Sequence, residues 1–118
     1  MRRIVIADAS PMFRDAAAHV ISSLPGYTLA GTSTTSQQTL SLVESTAADV
    51  VLLDLGTVHG LEMVRRVKAV ARPPTVVAMT LFHTPQAAAA ATRAGADALV
   101  GKERFVVSLR DALARLFP

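Results

Sequence analysis

Four short apolar runs in this chain are each followed directly by one polar residue. The runs are IVIA before Asp8, VVLL before Asp54, VVAM before Thr80 and ALVG before Lys102. Unbroken Val, Ile and Leu runs of this length are typical of parallel strands whose two sheet faces are both covered. Because the carboxyl ends of parallel strands meet at one edge of a sheet, we expect the four polar side chains to share one pocket.

Segments with helical signals separate these runs and produce a regular alternation. The pattern predicts five strands, at residues 3–8, 27–31, 49–54, 75–80 and 97–101. It predicts helices at 12–24, 61–70, 86–94 and from 106 to about 117, and a further helix between the second and third strands that ends near residue 47. Ser10-Pro11 and Thr84-Pro85 are typical helix starts, and Gly95 is a typical helix end. Five βα units in 118 residues predict an α/β domain, (βα)5 and flavodoxin-like: a doubly wound parallel sheet in three layers, with strand order 2-1-3-4-5.

Composition limits the classes of protein to which the chain can belong. With 51% hydrophobic residues, residues 1–118 can form a single domain with its own core. The longest apolar stretch is interrupted by Asp49 and Asp54, which excludes a membrane-spanning helix. The absence of cysteine fits a cytoplasmic protein. The net charge of +3 comes from dispersed cations, so we expect no direct binding of nucleic acid.

The residue types at the strand ends suit phosphoryl chemistry at a carboxylate. Asp54 could attack phosphorus, and a Mg²⁺ ion held by Asp8 could neutralise charge on the moving group. Thr80 and Lys102 could hold the phosphoryl oxygens. Taken alone, Asp54 could equally be a strand-terminal residue that caps a helix.

The sequence also resembles a known family along nearly its whole length. The stretches IVIADASPMFRDA, PGYTLAGTS, DVVLLDLGTVHGLEMVRRV, VVAMTLF and RAGADALVGKE resemble receiver domains of bacterial two-component response regulators, which share the fold of the chemotaxis receiver, and especially the LuxR/FixJ-type branch. The resemblance implies a non-enzymatic signalling domain with Asp54 as phospho-acceptor, Asp8 in the metal site, and Thr80 and Lys102 as phosphoryl contacts. It also implies a histidine kinase or other signalling protein as partner, and a DNA-binding output domain after Pro118 in a longer protein.

The chain departs from the family pattern at several pocket positions. Ala9 stands where receivers carry a second acid that contacts Mg²⁺, and the loop GTVH is shorter than usual, which would misplace the Gly56 carbonyl, a metal ligand in the family. Leu81 replaces a small residue and would partly close the access route. Leu99 replaces the aromatic partner of Thr80 in the conformational switch. Losing an anionic ligand should weaken Mg²⁺ binding severely, so we expect bound Mg²⁺ to be weak or absent.

These departures identify the chain as an atypical, pseudo-receiver-like domain that acts mainly through protein contacts. Lys102 can then pair with Asp8 and Asp54 without a metal. Two alternatives stay open: a working receiver that a histidine kinase phosphorylates at Asp54, and a domain whose pocket binds a small ligand. A homodimer is expected if the face containing Leu99, Phe105 and Val106 is apolar and exposed.

Overall fold

In residues 1–56 and 59–118, which the computed structural model describes, five strands alternate with five α-helices. The strands are β1 (Arg2–Ala7), β2 (Tyr27–Ser33), β3 (Val50–Asp54), β4 (Thr75–Thr80) and β5 (Ala98–Gly101). The helices are α1 (Pro11–Ser22), α2 (Ser36–Thr46), α3 (Gly60–Lys68), α4 (Pro85–Ala94) and α5 (Phe105–Leu116), and a short 3-10 turn (Lys102–Arg104) precedes α5. The predicted short loop GTVH includes residues 57–58, which lie outside the described residues.

The five strands form one parallel sheet in the order β2-β1-β3-β4-β5. This confirms the predicted strand order and the doubly wound α/β fold. In the pairing of β1 with β3, Ala7 lies opposite Leu53, so the residues that follow, Asp8 and Asp54, are neighbours. In the pairing of β4 with β5, Thr80 lies opposite Gly101, which brings Lys102 to the same edge of the sheet.

Alternate residues of the strands pack into two apolar layers, one on each face of the sheet. On one face, Ile4, Ile6 and Leu52 pack with residues of α1 and α5. On the other face, Val5 and Val51 belong to a second cluster that includes residues of α2, α3 and α4. Both faces of the central strands are therefore covered, which explains why their sequences are continuously apolar rather than alternating.

Side chains and backbone geometry define the helix ends that the sequence predicted. The Ser10 hydroxyl accepts a hydrogen bond from the Phe13 backbone N–H at 3.3 Å, and Pro11 is the first residue of α1. Thr84 caps α4 in the same way. Gly95 ends α4 with φ of 109°, a left-handed conformation that favours glycine.

The burial of α5 side chains corrects part of the predicted self-association face. Val106 is 46% exposed, whereas Phe105 is buried, because α5 begins at Phe105 and its apolar stripe continues through Leu109 and Leu113. Phe105 therefore cannot contribute to the exposed self-association face that was predicted. A methionine at the start of a helix in an apolar α/β domain is expected to pack inward, yet Met12 is 84% exposed.

Two predicted element lengths also change. β2 continues to Ser33 instead of ending at Gly31, because β1 pairs with it as far as Ala7. The third helix ends at Lys68, before the predicted last position of its stripe, Val70. Within the described part of the chain, no helix is both long enough and apolar enough to cross a membrane.

One carboxylate joins three parts of the fold at the start of β4. Asp97 Oδ2 accepts hydrogen bonds from the Val76 backbone N–H at 2.8 Å and from Lys68 Nζ at 2.9 Å. Lys68 Nζ also donates to the Pro74 carbonyl at 3.0 Å. The side chain of Asp97 thus links α3 and β4 to the turn that enters β5.

We predict that Asp97→Ala lowers the free energy of unfolding by about 1–2 kcal/mol, because it removes two hydrogen bonds, one of them charged on both sides. Urea unfolding measures this change. Asp111→Ala, on the exposed side of α5, is the control and should change stability by less than about 0.5 kcal/mol. Equal effects of the two substitutions would show that the Asp97 contacts add nothing specific.

Candidate functional site

Three charged side chains meet at the carboxyl edge of the sheet. Lys102 Nζ lies 2.7 Å from Asp8 Oδ2 and 3.3 Å from Asp54 Oδ1. Asp8 follows β1 directly, Asp54 is the last residue of β3, and Lys102 begins the turn after β5. The three side chains are largely buried, with exposed fractions of 1% for Asp8, 13% for Asp54 and 15% for Lys102. The structure therefore brings together three of the four strand-end residues that the sequence singled out.

Backbone N–H groups orient both carboxylates. The Ser10 N–H donates to Asp8 Oδ1 at 2.8 Å, while Lys102 binds the other oxygen of the same carboxylate. The Gly56 N–H donates to Asp54 Oδ1 at 3.1 Å, and that oxygen also faces Lys102. One ammonium is thus shared by two carboxylates, which leaves one formal negative charge among the three side chains when all are ionised.

Two residues of α1 also reach the pocket, and sequence reasoning missed both. The ammonium of Lys102 lies 4.2 Å from the centre of the Phe13 ring, and Arg14 Nη1 donates to the Asp8 backbone carbonyl at 2.8 Å. The one feature of the sequence that could have indicated a role in the pocket is their position, because both lie in the first turn of α1, a few residues after Asp8. That signal was weak because the neighbouring Met12 points outward.

The remaining predicted site residues lie around this cluster. Thr80 ends β4 and is partly buried, and no hydrogen bond between described residues joins its hydroxyl to Asp54 or Lys102. Leu99 is partly buried in β5, opposite Ala78. Leu81 is 64% exposed, next to the equally exposed Phe82. The roles predicted for these residues in switching and access stay predictions.

A small cavity lies beside the two carboxylates. Its volume is about 60 Å³. Its polar lining comes from the two carboxylates, from hydroxyl groups between the end of β2 and the first turn of α2, and from one imidazole: Asp8, Ser33, Thr34, Thr35, Ser36, Thr39, Asp54 and His59. Ala9 also lines it. The volume suits a few water molecules and is well below the roughly 300 Å³ at which common ligand pockets begin.

The hydroxyl groups of this lining have a defined hydrogen-bond direction. Thr39 Oγ1 donates its proton to the Thr35 carbonyl at 2.8 Å, so the 2.7 Å contact between Ser33 and Thr39 must use the Ser33 proton. Both Ser33 and Thr39 are buried. This wall of the cavity is therefore held by its own hydrogen bonds.

We predict that Lys102→Met lowers the free energy of unfolding at neutral pH by at least about 2 kcal/mol, because two largely buried carboxylates lose their shared counter-charge. Chemical denaturation measures the change. Arg65→Met is the matched control: it breaks the exposed Arg65–Glu62 pair and should cost less than about 1 kcal/mol. A Lys102→Met variant as stable as the wild type would contradict the importance of the central ammonium.

Comparison with known proteins adds independent information about this arrangement. The family model described as "Response regulator receiver domain" matches residues 4–114. The nitrate/nitrite response regulator protein NarL of Escherichia coli (strain K12) is 28% identical over 112 residues, covering 93% of this chain and 52% of that protein. The uncharacterized transcriptional regulatory protein YxjL of Bacillus subtilis (strain 168) is 26% identical, over 94% of this chain and 52% of that protein. The chain thus spans about half the length of these curated relatives.

Solved structures show the same fold. A LuxR-family two-component response regulator from Aurantimonas sp. SI85-9A1 superposes with a TM-score of 0.87 at 24% identity, covering 97% of this chain and 83% of that one. The Vibrio cholerae chemotaxis protein CheY4 also gives a TM-score of 0.87, at 21% identity and 99% coverage of both chains. At these identities, the superpositions establish the architecture.

Proposed function

The chain belongs to the response regulator receiver domain family, and from that premise we propose that it is an atypical receiver that signals mainly through protein contacts. In this proposal its own lysine closes the pocket in which other receivers are phosphorylated. Its partner is a histidine kinase or another signalling protein. The single observation that carries the proposal is that Ala9, which has no oxygen in its side chain, lines the cavity beside Asp8 and Asp54, while Lys102 Nζ pairs with Asp8.

The donor set of the pocket fits Mg²⁺ poorly. Mg²⁺ takes a nearly octahedral set of oxygen ligands and gives up its waters reluctantly. The residues available to it are the carboxylates of Asp8 and Asp54 and the carbonyl of Gly56, while the methyl group of Ala9 offers no oxygen. Lys102 already binds one Asp8 oxygen at 2.7 Å, so an arriving cation must displace the ammonium or tolerate its positive charge.

Protein contact is the mode of action that this pocket leaves available. An ammonium shared by two carboxylates relieves their repulsion without a metal ion, so the pocket does not need Mg²⁺ to stay closed. The fold around it is complete, with both faces of the sheet packed. The domain can therefore present a stable surface to a partner even if Asp54 is never modified.

A working receiver is the second candidate function, and one observation favours it. Asp54 keeps the strand-end position, the hydrogen bond from the Gly56 N–H and the nearby ammonium. In such a receiver an Asp54 oxygen forms a bond to the phosphorus of a phosphohistidine while the P–N bond breaks. The third alternative, a small-ligand site, gains no support from a cavity of about 60 Å³.

We predict that Mg²⁺ with beryllofluoride, a phosphoryl mimic, causes no saturable shifts of the backbone amide signals of Asp54 and Thr80. We expect this because the pocket offers Mg²⁺ an incomplete set of oxygen ligands and because Lys102 already pairs with Asp8. Asp54→Asn provides the baseline, since it removes the carboxylate that would hold the mimic. Saturable shifts in the wild type that Asp54→Asn abolishes would sink the proposal.

We further predict that Ala9→Asp gives the pocket a Mg²⁺ response at least about tenfold stronger than that of the wild type, because it supplies the missing anionic ligand. The apparent dissociation constant is measured by amide shifts during a Mg²⁺ titration. Ala9→Asn is the matched control, with similar size and no charge. If Ala9→Asp binds no better than Ala9→Asn, the missing carboxylate is not what limits the site.

The second candidate has its own test, which is phosphotransfer to the purified domain from phosphorylated histidine kinases of the same organism. If the proposed function is right, mass spectrometry of the intact domain will show no added phosphoryl group. A gain that occurs in the wild type and is lost in Asp54→Asn would establish the working receiver instead.

A further inference from the structure

We propose that Phe13 is a positioning residue, which holds the Lys102 ammonium in the pocket by presenting its ring face to it. The inference rests on the proposed function, because it assigns the residue that helps to keep the ammonium in place when no metal is bound. The Phe13 side chain has no hydrogen-bonding group with which to bind either carboxylate. It acts only through Lys102.

The contacts of the ammonium define three sides of a cage. Two sides are the carboxylates of Asp8 and Asp54, at 2.7 and 3.3 Å from Nζ, and the third is the Phe13 ring, whose centre is 4.2 Å away. A cation this close to a ring face is attracted by the negative face of the ring, and the attraction grows when water is excluded. With 15% of its side chain exposed, Lys102 meets that condition.

The ring itself is fixed from two directions. The backbone N–H of Phe13 donates to the capping hydroxyl of Ser10, and the backbone N–H of Ser10 donates to Asp8 Oδ1. The ring also packs edge to face against Phe105, with ring centres 5.0 Å apart and an interplanar angle of 76°. Phe105 is part of the buried core. The core therefore supports Phe13, and Phe13 supports the ammonium.

This arrangement favours Asp8 over Asp54 as the partner of the ammonium. The Nζ to oxygen distance is 0.6 Å shorter to Asp8, and Asp8 is joined through Ser10 to the same helix start that carries Phe13. Any movement of Lys102 toward Asp54 that takes it off the ring sacrifices the cation–π contact. Phe13 therefore opposes such a movement.

The sequence makes a direct spectroscopic test simple, because Lys68 and Lys102 are the chain's two lysines. A proton above an aromatic ring is shifted upfield, so the ε-methylene signals of Lys102 should lie upfield of those of Lys68 in metal-free protein. Lys102→Met assigns the signals. This comparison needs no Phe13 variant, so it stands even if a substitution there fails to fold. Coincident ε-methylene signals would overturn the proposal.

Substitutions then separate positioning from general packing. Phe13→Leu should move the Lys102 signal toward that of Lys68 and raise the rate of Lys102 acylation by about fivefold relative to Lys68, as judged by peptide mass spectrometry. Phe13→Tyr keeps a ring face, so both values should stay close to those of the wild type. Phe105→Leu is the matched control, since it removes one support of the Phe13 ring but keeps that ring beside Lys102, and it should change both values clearly less than Phe13→Leu does.

Two outcomes would contradict the inference: unchanged Lys102 signals and reactivity in Phe13→Leu, or equal changes in Phe13→Leu and Phe105→Leu. Both measurements are made without Mg²⁺ or a phosphoryl mimic. A saturable response to those ligands would remove the proposed function and leave the role of Phe13 standing, so the two proposals can fail separately.

Discussion

One ammonium shared by two buried carboxylates is the interaction on which the pocket depends. The parallel register of β1 and β3 places Asp8 and Asp54 side by side at the edge of the sheet, where their charges repel each other. Lys102, 94 residues after Asp8, follows the outer strand β5 and reaches both carboxylates across the carboxyl edge of the sheet. A shared ammonium offsets part of that repulsion without a metal ion, and it ties the turn after β5 to the loop between β1 and α1. A pocket whose negative charge is reduced in this way has less need of a divalent cation.

The pocket contributes to the stability of the fold, but the architecture of the fold is set elsewhere. Its apolar layers lie on the two faces of the sheet, and Ala9 belongs to neither of them. This separation allows a receiver to keep its architecture while its strand-end chemistry changes. The proposed loss of phosphorylation therefore carries no expected loss of folding, and a surface for protein contacts can persist without it.

The sequence predicted the fold well because its strongest signals are local. Unbroken apolar runs marked the central strands, and Ser10-Pro11 and Thr84-Pro85 marked helix starts through hydrogen bonds that span only a few residues. Parallel topology then followed from the number of βα units, and the convergence of Asp8, Asp54 and Lys102 followed from the topology.

What could not be predicted depends on contacts between distant parts of the chain. The rotation of α5, which buries Phe105 and exposes Val106, is set by the turn before the helix and by packing against the sheet. The length of β2 depends on its pairing with β1. Phe13 reaches Lys102 only because α1 and α5 pack on the same face of the sheet, so no local pattern could reveal its contact with the ammonium.

A high-resolution crystal structure of the domain, grown at a high concentration of Mg²⁺, would show directly whether Lys102 or a metal ion holds the two carboxylates. We expect Lys102 Nζ to stay within hydrogen-bond distance of Asp8, over the Phe13 ring, with no metal between the carboxylates. A Mg²⁺ ion coordinated by Asp8, Asp54 and the Gly56 carbonyl, with Lys102 displaced from Asp8, would contradict this expectation.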